Sequence, residues 1–485
     1  MSLPRSRSLA RLRGVPVRPT TLLVIVLALT LPGAASAQAA CAEVPGVHRC
    51  PVWTMQHDVG GPGGHTSDEA DAVAVAPDGG RVFVSGGTSG QAIEVLALEA
   101  GTGEPAWTAR VDGARSDLGT YVALRMAPDG SRLFLLASTP GGDFLIVALD
   151  PATGDDLWSA EWGGGGSDLA RDLAVSPHST EVYVTGSSEA RGKKTLVLVA
   201  LSAAAGTELW TVRYSGPTPS WSSGSTGHEV RVSPDSTRVF VAGRSSGNSS
   251  TDLVTLAYDV PEEDEEPSAS WAWVERFTPA VNVGVGSRVG FAVSEDGDRL
   301  VTSGEGDNNF WTIGYDAAQG DELWSAELHG TALSEGWVST LDETAVEISE
   351  DRVFVAISKA WDPGPLMASY DLDTGAELWS TRNAAGPALS EAGFVVSPGG
   401  DSLYTLTSSV EVGYGAAVAA WDAANGSLEW VGRMQPTRDG IYGNALAISP
   451  SGDALYATGG TSPPERGFAE IMNRTADFLT WSYDL

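Results

Sequence analysis

Apolar residues alternate with small or polar residues in short runs along this chain, and each run ends at a turn rich in Pro, Asp, Ser and Gly. In two examples, residues 73–75 and 124–126 place apolar side chains four and two positions before Pro77 and Pro128. A period of two residues predicts a half-buried β-strand. Because Pro presets φ for a turn and Gly accepts a positive φ, Pro-Asp-Gly predicts a reversal into a second strand, such as residues 82–84.

This strand–turn–strand phrase occurs eight times and recurs about every 53 residues. The residues that precede the turn are Ala76, Ala127, Ser176, Ser233, Ser294, Ser349, Ser397 and Ser449. A second phrase, Asp-x-x-Thr-Gly-x-x-x-Trp at residues 150–158, predicts a turn between a third and a fourth strand. Four strands per unit, repeated without helical periodicity, predict an all-β, eight-bladed β-propeller of four-stranded antiparallel blades over residues 51–485. A seven-bladed ring is the alternative.

The closure of the ring depends on Trp53 and Trp481. Trp53 has the setting of a fourth-strand tryptophan but precedes the first copy, whereas Trp481 is expected to supply the fourth strand of the last copy. The N-terminal strand therefore either closes the ring or adds to it as an edge strand.

Residues 1–37 have the features of a secretory signal. Five arginines and no acidic residue precede the apolar run 22–31, which is too short to cross a bilayer, and Ala35-Ser36-Ala37 fits a cleavage site. No second long apolar run follows. We therefore expect a secreted protein, extracellular or periplasmic, that does not span a membrane.

Composition limits the partners. The chain has 29 basic and 62 acidic residues, a formal net charge of −33, so it should repel nucleic acid and anionic lipid. Its two cysteines, Cys41 and Cys50, are too few for a thiolate zinc site. They are expected to form a disulfide in the N-terminal segment 38–50, with lipidation of Cys41 as the alternative. We expect a monomer.

The phrase Ala148-Leu-Asp-Pro-Ala-Thr-Gly154-Asp-Asp-Leu-Trp158 resembles the tryptophan-docking repeat of quinoprotein-type, PQQ-like eight-bladed propellers. The Ser-Pro-Asp phrase and the strand after it resemble the repeats of bacterial surface and secreted propellers. The resemblance covers residues 51–485 and implies that the repeated tryptophans pack between neighbouring blades. These tryptophans are Trp107, Trp158, Trp210, Trp324, Trp379 and Trp430.

Quinoprotein dehydrogenases of this family use an adjacent cysteine pair over the quinone, calcium-binding carboxylate and amide residues, and an aspartate base. This chain has no adjacent cysteine pair and is shorter than those enzymes usually are. The resemblance therefore implies the fold without the redox activity. We expect no cofactor and no PQQ, with calcium as the alternative.

Comparison among the copies points to one candidate ligand site. Five residues before the turn proline, or its equivalent, six copies have Ala or Gly, whereas the third and fourth have Asp172 and Glu229. One residue earlier lie Arg171 and His228, and the loop before Glu229 carries Trp221. Such a cluster at a propeller mouth can bind a cation, a sugar or a basic peptide, or support acid–base chemistry. The alternative is an Arg171–Glu229 or Asp172–His228 ion pair that only orders the channel rim.

Two hypotheses for function follow. The first is a secreted, non-catalytic propeller that binds a protein or a polysaccharide at one mouth of the ring, formed by the loops before the inner strands. The second is an enzyme, either a quinone-dependent oxidoreductase or a lyase or hydrolase that uses Asp172, His228 and Glu229. No histidine shows a metal-ligand spacing; a calcium ion at Asp172, Glu229 or the acidic residues 262–266 is the alternative.

Overall fold

The alternating runs form β-strands in the computed structural model of the chain. The structure describes residues 48–57, 69–88, 92–114, 122–190, 193–217, 224–246, 251–262, 271–278, 288–306, 309–328, 343–358, 366–382, 389–408, 415–434, 440–462 and 477–485. Residues 1–37 and Cys41 lie outside these ranges, so the signal sequence and the Cys41–Cys50 disulfide stay predictions. Within the same ranges, no helix is long and apolar enough to span a bilayer.

Two short strands precede the repeats, β1 (His48–Arg49) and β2 (Thr54–His57). Blade 1 follows with β3 (Glu69–Val75), β4 (Arg81–Thr88), β5 (Ala92–Glu99) and β6 (Pro105–Asp112). Blade 2 has β7 (Ala123–Met126), β8 (Leu133–Ser138), β9 (Phe144–Leu149) and β10 (Asp156–Trp162). Blade 3 has β11 (Asp168–Val175), β12 (Glu181–Ala190), β13 (Lys193–Ser202) and β14 (Glu208–Tyr214). Blade 4 has β15 (Ser225–Val232), β16 (Arg238–Ser246), β17 (Thr251–Asp259) and β18 (Trp273–Phe277).

The second half of the ring repeats this order. Blade 5 has β19 (Gly290–Val293), β20 (Arg299–Gly306), β21 (Asn309–Asp316) and β22 (Glu322–Leu328). Blade 6 has β23 (Glu343–Ser349), β24 (Arg352–Ser358), β25 (Leu366–Asp371) and β26 (Glu377–Arg382). Blade 7 has β27 (Leu389–Val396), β28 (Ser402–Ser408), β29 (Ala416–Asp422) and β30 (Leu428–Arg433). Blade 8 has β31 (Gly440–Ile448), β32 (Ala454–Ser462) and β33 (Phe478–Asp484), with β2 as its fourth strand.

The eight blades form a ring with the first strand of each blade innermost. Each of these inner strands contacts the inner strand of the next blade, and β31 of blade 8 contacts β3 of blade 1. The prediction of an eight-bladed, four-stranded antiparallel propeller is confirmed. In seven copies the residue four positions before the turn proline or its equivalent, such as Val230 or Phe291, is buried between the sheets, as the alternating pattern predicted. In blade 1 the corresponding Val73 is half-buried.

The N-terminal segment closes the ring. Strand β2 pairs antiparallel with β33. Just before β2, the Trp53 carbonyl accepts a hydrogen bond from the Ser482 N–H, and the Val52 N–H donates one to the Ser482 carbonyl. Strand β1 pairs in parallel with β30 at the outer edge of blade 7, where Arg49 donates a 2.7 Å hydrogen bond to the Asp484 carbonyl of blade 8. The expectation that Trp481 lies on a fourth strand is wrong. It lies on β33, the third strand, and the fourth strand comes from the N-terminal segment instead.

Tryptophans connect consecutive blades. The indole of Trp107 on blade 1 donates a 3.1 Å hydrogen bond to the Pro151 carbonyl in the β9–β10 turn of blade 2. Gly154 in that turn has a φ of 79° and lies directly against the ring, since a Cβ there would come within 2.6 Å of it. In the copies that have this glycine, the tryptophan of the preceding blade therefore packs against it. The other pairs of this kind are Trp53 with Gly103, Trp158 with Gly206, Trp273 with Gly320, Trp324 with Gly375 and Trp379 with Gly426.

Two tryptophans dock on aromatic rings instead. Trp210 faces blade 4, whose copy lacks the glycine of the second turn, and its ring lies 4.3 Å from that of Tyr258. Trp430 faces blade 8 and lies 5.6 Å from the ring of Tyr483. The guanidinium of Arg49 covers Trp430 at 4.8 Å, a cation–π contact that couples this last junction to the N-terminal segment.

Replacing Gly154 by alanine should destabilise the propeller more than replacing Gly79 does. Both glycines have a positive φ, 79° and 71°, so both variants carry the strain of left-handed alanine, about 1 kcal/mol. A Cβ at Gly154 also collides with Trp107, whereas one at Gly79 meets nothing within 4 Å. We expect Gly154→Ala to lower the free energy of unfolding in urea by about 1–3 kcal/mol more than Gly79→Ala. Equal losses would show that this contact does not stabilise the ring.

Candidate functional site

The two acidic residues that interrupt the small-residue pattern lie on neighbouring inner strands. Asp172 is on β11 and Glu229 on β15, and each follows a β-bulge in the pairing with the second strand. The extra residues at these bulges are Arg171 and His228. Because a bulge inserts one residue and turns the strand, it explains why adjacent polar residues occur together here.

Asp172 connects three blades. Arg125 of blade 2 donates a 3.0 Å hydrogen bond to its Oδ1, and Arg231 of blade 4 donates another, also 3.0 Å, to its Oδ2. The backbone N–H of Val230 donates to Oδ2 at 3.1 Å. Asp172 is buried, so these donors compensate for the loss of its hydration. The carboxylate therefore holds the inner strands of blades 2, 3 and 4 together.

Glu229 titrates near neutral pH. Burial raises the pKa of its carboxyl to about 7; Arg231 opposes this rise, and the charges of Asp172 and Glu347 add to it. Arg231 Nη2 donates a 2.6 Å hydrogen bond to Glu229 Oε2. A carboxyl with such a pKa can take up or release a proton under physiological conditions, but this one is already engaged by a neighbour on its own strand.

His228 is uncharged. Burial, followed by the charges of Arg171, Arg244 and Arg288, lowers its pKa well below the ordinary range. Its Nδ1 accepts a 3.2 Å hydrogen bond from the backbone N–H of Val289 on the approach to blade 5. His228 therefore joins blades 4 and 5, and the structure pairs Asp172 with Arg125 and Arg231 rather than with this imidazole.

The remaining predicted site residues lie apart from the Asp172 contacts or outside the described ranges. Arg171 lies at the bulge of β11, and its charge acts on His228 and Lys194. Trp221 lies outside the described residues. The structure thus brings Arg171, Asp172, His228 and Glu229 to adjacent inner strands. There Asp172 and His228 contact other blades, whereas Glu229 pairs with Arg231 on its own strand.

Sequence comparison missed three channel residues, Arg125, Arg231 and Glu347. All three lie three positions before the turn, where the other five copies have Ala or Val. The same comparison among copies, moved two residues along the strand, would have found them.

A partly open cavity of about 330 Å³ lies where the inner strands of blades 4, 5 and 6 end. Arg231, Glu295 and Glu347 supply its charges, and Phe291 supplies part of its apolar wall. The turn residues Pro177 and Pro234 also line it. This cavity is at the end of the channel opposite to the loops that precede the inner strands.

Asp172→Asn should destabilise the fold strongly. The amide offers one acceptor oxygen in place of two and directs an N–H₂ group at an arginine. Breaking a buried pair in this way typically costs about 3–5 kcal/mol. The matched control is Asp112→Asn, because Asp112 pairs with Arg110 at 2.8 Å on the surface and is 82% exposed. We expect the control to lose at most about 1 kcal/mol of unfolding free energy in urea. Similar losses in both variants would show that Asp172 does not hold the inner strands together.

Glu229 should make the propeller less stable as the pH rises. Its pKa is about 7 in the folded state against an ordinary value of 4.5, so the folded chain retains a proton that the unfolded chain has released. This stabilisation is complete below the unfolded pKa and is lost as the pH rises through about 7. Glu229→Gln, which keeps an oxygen for Arg231, should be free of this decline.

The measurement is urea unfolding of both proteins between about pH 5 and about pH 8. The stability of the wild type should fall relative to that of the variant across this range. The control is the exposed Glu104→Gln, which should follow the wild type. Parallel curves for wild type and Glu229→Gln would refute the assignment.

Comparison with known proteins places the chain in a family. A family model described as outer membrane protein assembly factor BamB matches residues 51–196 and 193–444. No curated protein sequence matches the chain.

Solved structures share the fold at low identity. Quinohemoprotein alcohol dehydrogenase from Comamonas testosteroni is 13% identical, with 90% of this chain and 76% of that one covered and a TM-score of 0.54. A europium-containing methanol dehydrogenase is also 13% identical, with 90% and 93% covered and a TM-score of 0.52. Chaetomium thermophilum Sqt1, bound to the N-terminus of the ribosomal protein L10, is 14% identical, with 89% and 98% covered and a TM-score of 0.54.

At such identities these likenesses show the fold alone, and they include both dehydrogenases and a peptide-binding propeller. The family model, in contrast, extends over the repeats of blades 1 to 7. Together with the eight-bladed ring, this match shows that the chain belongs to the family of PQQ-like β-propellers described as outer membrane protein assembly factor BamB.

Proposed function

We propose that this chain is a secreted, non-catalytic β-propeller that binds a protein or a polysaccharide at the mouth of the channel where the inner strands end. Among the described residues, the cavity beside Arg231 and Glu347 is the feature that supports binding at this mouth. The loops at the other mouth, where the sequence placed the ligand, lie largely outside the described ranges.

The non-catalytic part of the proposal rests on the hydrogen bonds that arginines donate to the channel carboxylates Asp172 and Glu229. Asp172 accepts hydrogen bonds from two arginines and a backbone N–H, and Glu229 accepts one from Arg231. His228 accepts one from a backbone N–H. A lyase or hydrolase would need at least one of these groups to face a substrate, whereas their present contacts connect blades or neutralise charge.

The described residues do not fit the quinone-dependent alternative. They contain no group of three or more His, Cys, Asp and Glu side chains that could hold a metal ion. Asp172 accepts three hydrogen bonds, and the two guanidinium charges of Arg125 and Arg231 beside it oppose the approach of calcium. The chain also lacks the adjacent cysteine pair. The dehydrogenases of the same fold therefore support the architecture of this protein and not its activity.

Filling the cavity should abolish binding. Ala292 lines the cavity and lies three positions before the turn in blade 5, so Ala292→Phe places a ring inside it. Ala74 has the same position in blade 1, and Ala74→Phe adds the same ring away from the cavity. On an array of peptides and polysaccharides, we expect wild type and Ala74→Phe to bind the same members. Ala292→Phe should bind them at least about tenfold more weakly.

Two results would overturn the proposal. Unchanged binding by a folded Ala292→Phe variant would place the ligand elsewhere on the ring. Stabilisation by PQQ plus calcium beyond that by calcium alone, together with dye-linked alcohol oxidation, would establish the quinone-dependent alternative. Thermal melts of all three proteins serve both purposes, because they report the folding of the variants and the binding of the cofactor.

A further inference from the structure

Glu347 is a channel carboxylate whose hydrogen-bonding capacity is unused in the described part of the chain. It lies on β23 and lines the cavity. Among the described residues none donates a hydrogen bond to it or forms an ion pair with it, and Arg231 acts on its charge only through space. This distinguishes Glu347 from Asp172 and Glu229, which arginines engage directly.

Arg231 is already committed elsewhere. Its Nη1 donates to Asp172 and to the Val230 carbonyl, and its Nη2 donates to Glu229. Moving it toward Glu347 would remove one of the three donors of Asp172 and the arginine that pairs with Glu229. A carboxylate without a donor in a partly enclosed cavity is costly, and burial accordingly raises the pKa of Glu347. A ligand that brings a positive charge and N–H donors would satisfy this group.

The rest of the cavity limits the shape of such a ligand. Its volume of about 330 Å³ is at the lower end of the range of ligand pockets, so it suits a small group. Phe291, Val232 and Ile348 form an apolar wall next to Glu347. Glu295, which is exposed, adds a second carboxylate to the lining. An apolar wall beside carboxylates suits an alkyl stem that ends in a cation. The net charge of −33 adds a long-range attraction for positive ligands.

We propose that the cavity binds an alkylammonium group, with Glu347 accepting its hydrogen bonds and the wall of Phe291, Val232 and Ile348 covering its stem. Both a lysine side chain of a partner polypeptide and a free alkyl diamine present this chemistry. The inference rests on the proposed binding function and specifies the ligand chemistry at the same mouth.

Calorimetry with small probes tests the inference. The probes are Nα-acetyl-lysine amide for the peptide source, 1,5-diaminopentane for the free amine, and Nα-acetyl-norleucine amide, which has an alkyl stem without the charge. We expect the wild type to bind at least one amine and to bind the norleucine compound at least about tenfold more weakly. The preferred amine identifies the source.

Two variants localise the binding. Glu347→Gln keeps the shape of the side chain and removes the charge, so the affinity for the amine should fall at least about tenfold. Glu104→Gln removes one exposed carboxylate far from the cavity in sequence and should bind as the wild type does. If Glu347→Gln does not fold, Ala292→Phe, which blocks the cavity from blade 5, takes its place and should also lose the amine.

Failure of this inference differs from failure of the proposed function. If neither amine binds, or if Glu347→Gln binds them normally, the inference is wrong. In that case array binding that Ala292→Phe abolishes would leave the proposed function standing with another ligand. If Ala292→Phe affects neither the amines nor the array, both are wrong.

Discussion

The packing of one blade against the next is the constraint on which this structure depends. A four-stranded sheet of 23 to 35 strand residues cannot bury both faces alone, so each blade is stable only between two neighbours. The indole of one blade seated against the turn of the next supplies this contact together with a directional hydrogen bond. The hydrogen bond fixes how far each blade is rotated about the ring, which a purely apolar contact would leave less well defined.

The channel contains a second set of contacts between blades, and it is ionic. Asp172 joins arginines from the blades on either side, and His228 accepts a hydrogen bond from the blade that follows. These groups looked like a ligand site in the sequence because an acidic residue five positions before the turn is exceptional among the eight copies. In the structure their polarity mainly serves cohesion. Glu347 lies on the inner strand of blade 6, and none of the described residues donates a hydrogen bond to it or forms an ion pair with it.

The fold could be predicted from the sequence because the residue pattern within each repeat determines the strands and turns of that repeat. The period of two before Pro77 and the turn chemistry after it are sufficient for a strand and a reversal, and eight repetitions give the ring. The candidate site was predicted only in part, since the partner of a channel residue belongs to another repeat. Arg125 lies 47 residues before Asp172 and Arg231 lies 59 after it, and no local pattern connects such positions. The place of Trp481 was missed for a related reason, because ring closure depends on both ends of the chain.

Among the described strands, those of blade 8 come from both ends of the chain, so the ring closes there through non-covalent contacts. Arg49 and the Asp484 carbonyl that it contacts are 435 residues apart in sequence, whereas the chain runs continuously through the other blades. Among the contacts of the described residues this one closes the longest loop, and the entropic cost of closure rises with loop length. We therefore expect blade 8 to complete after the other blades during folding, and the β2–β33 pairing to open before theirs. An invading strand from another molecule would find its point of entry there.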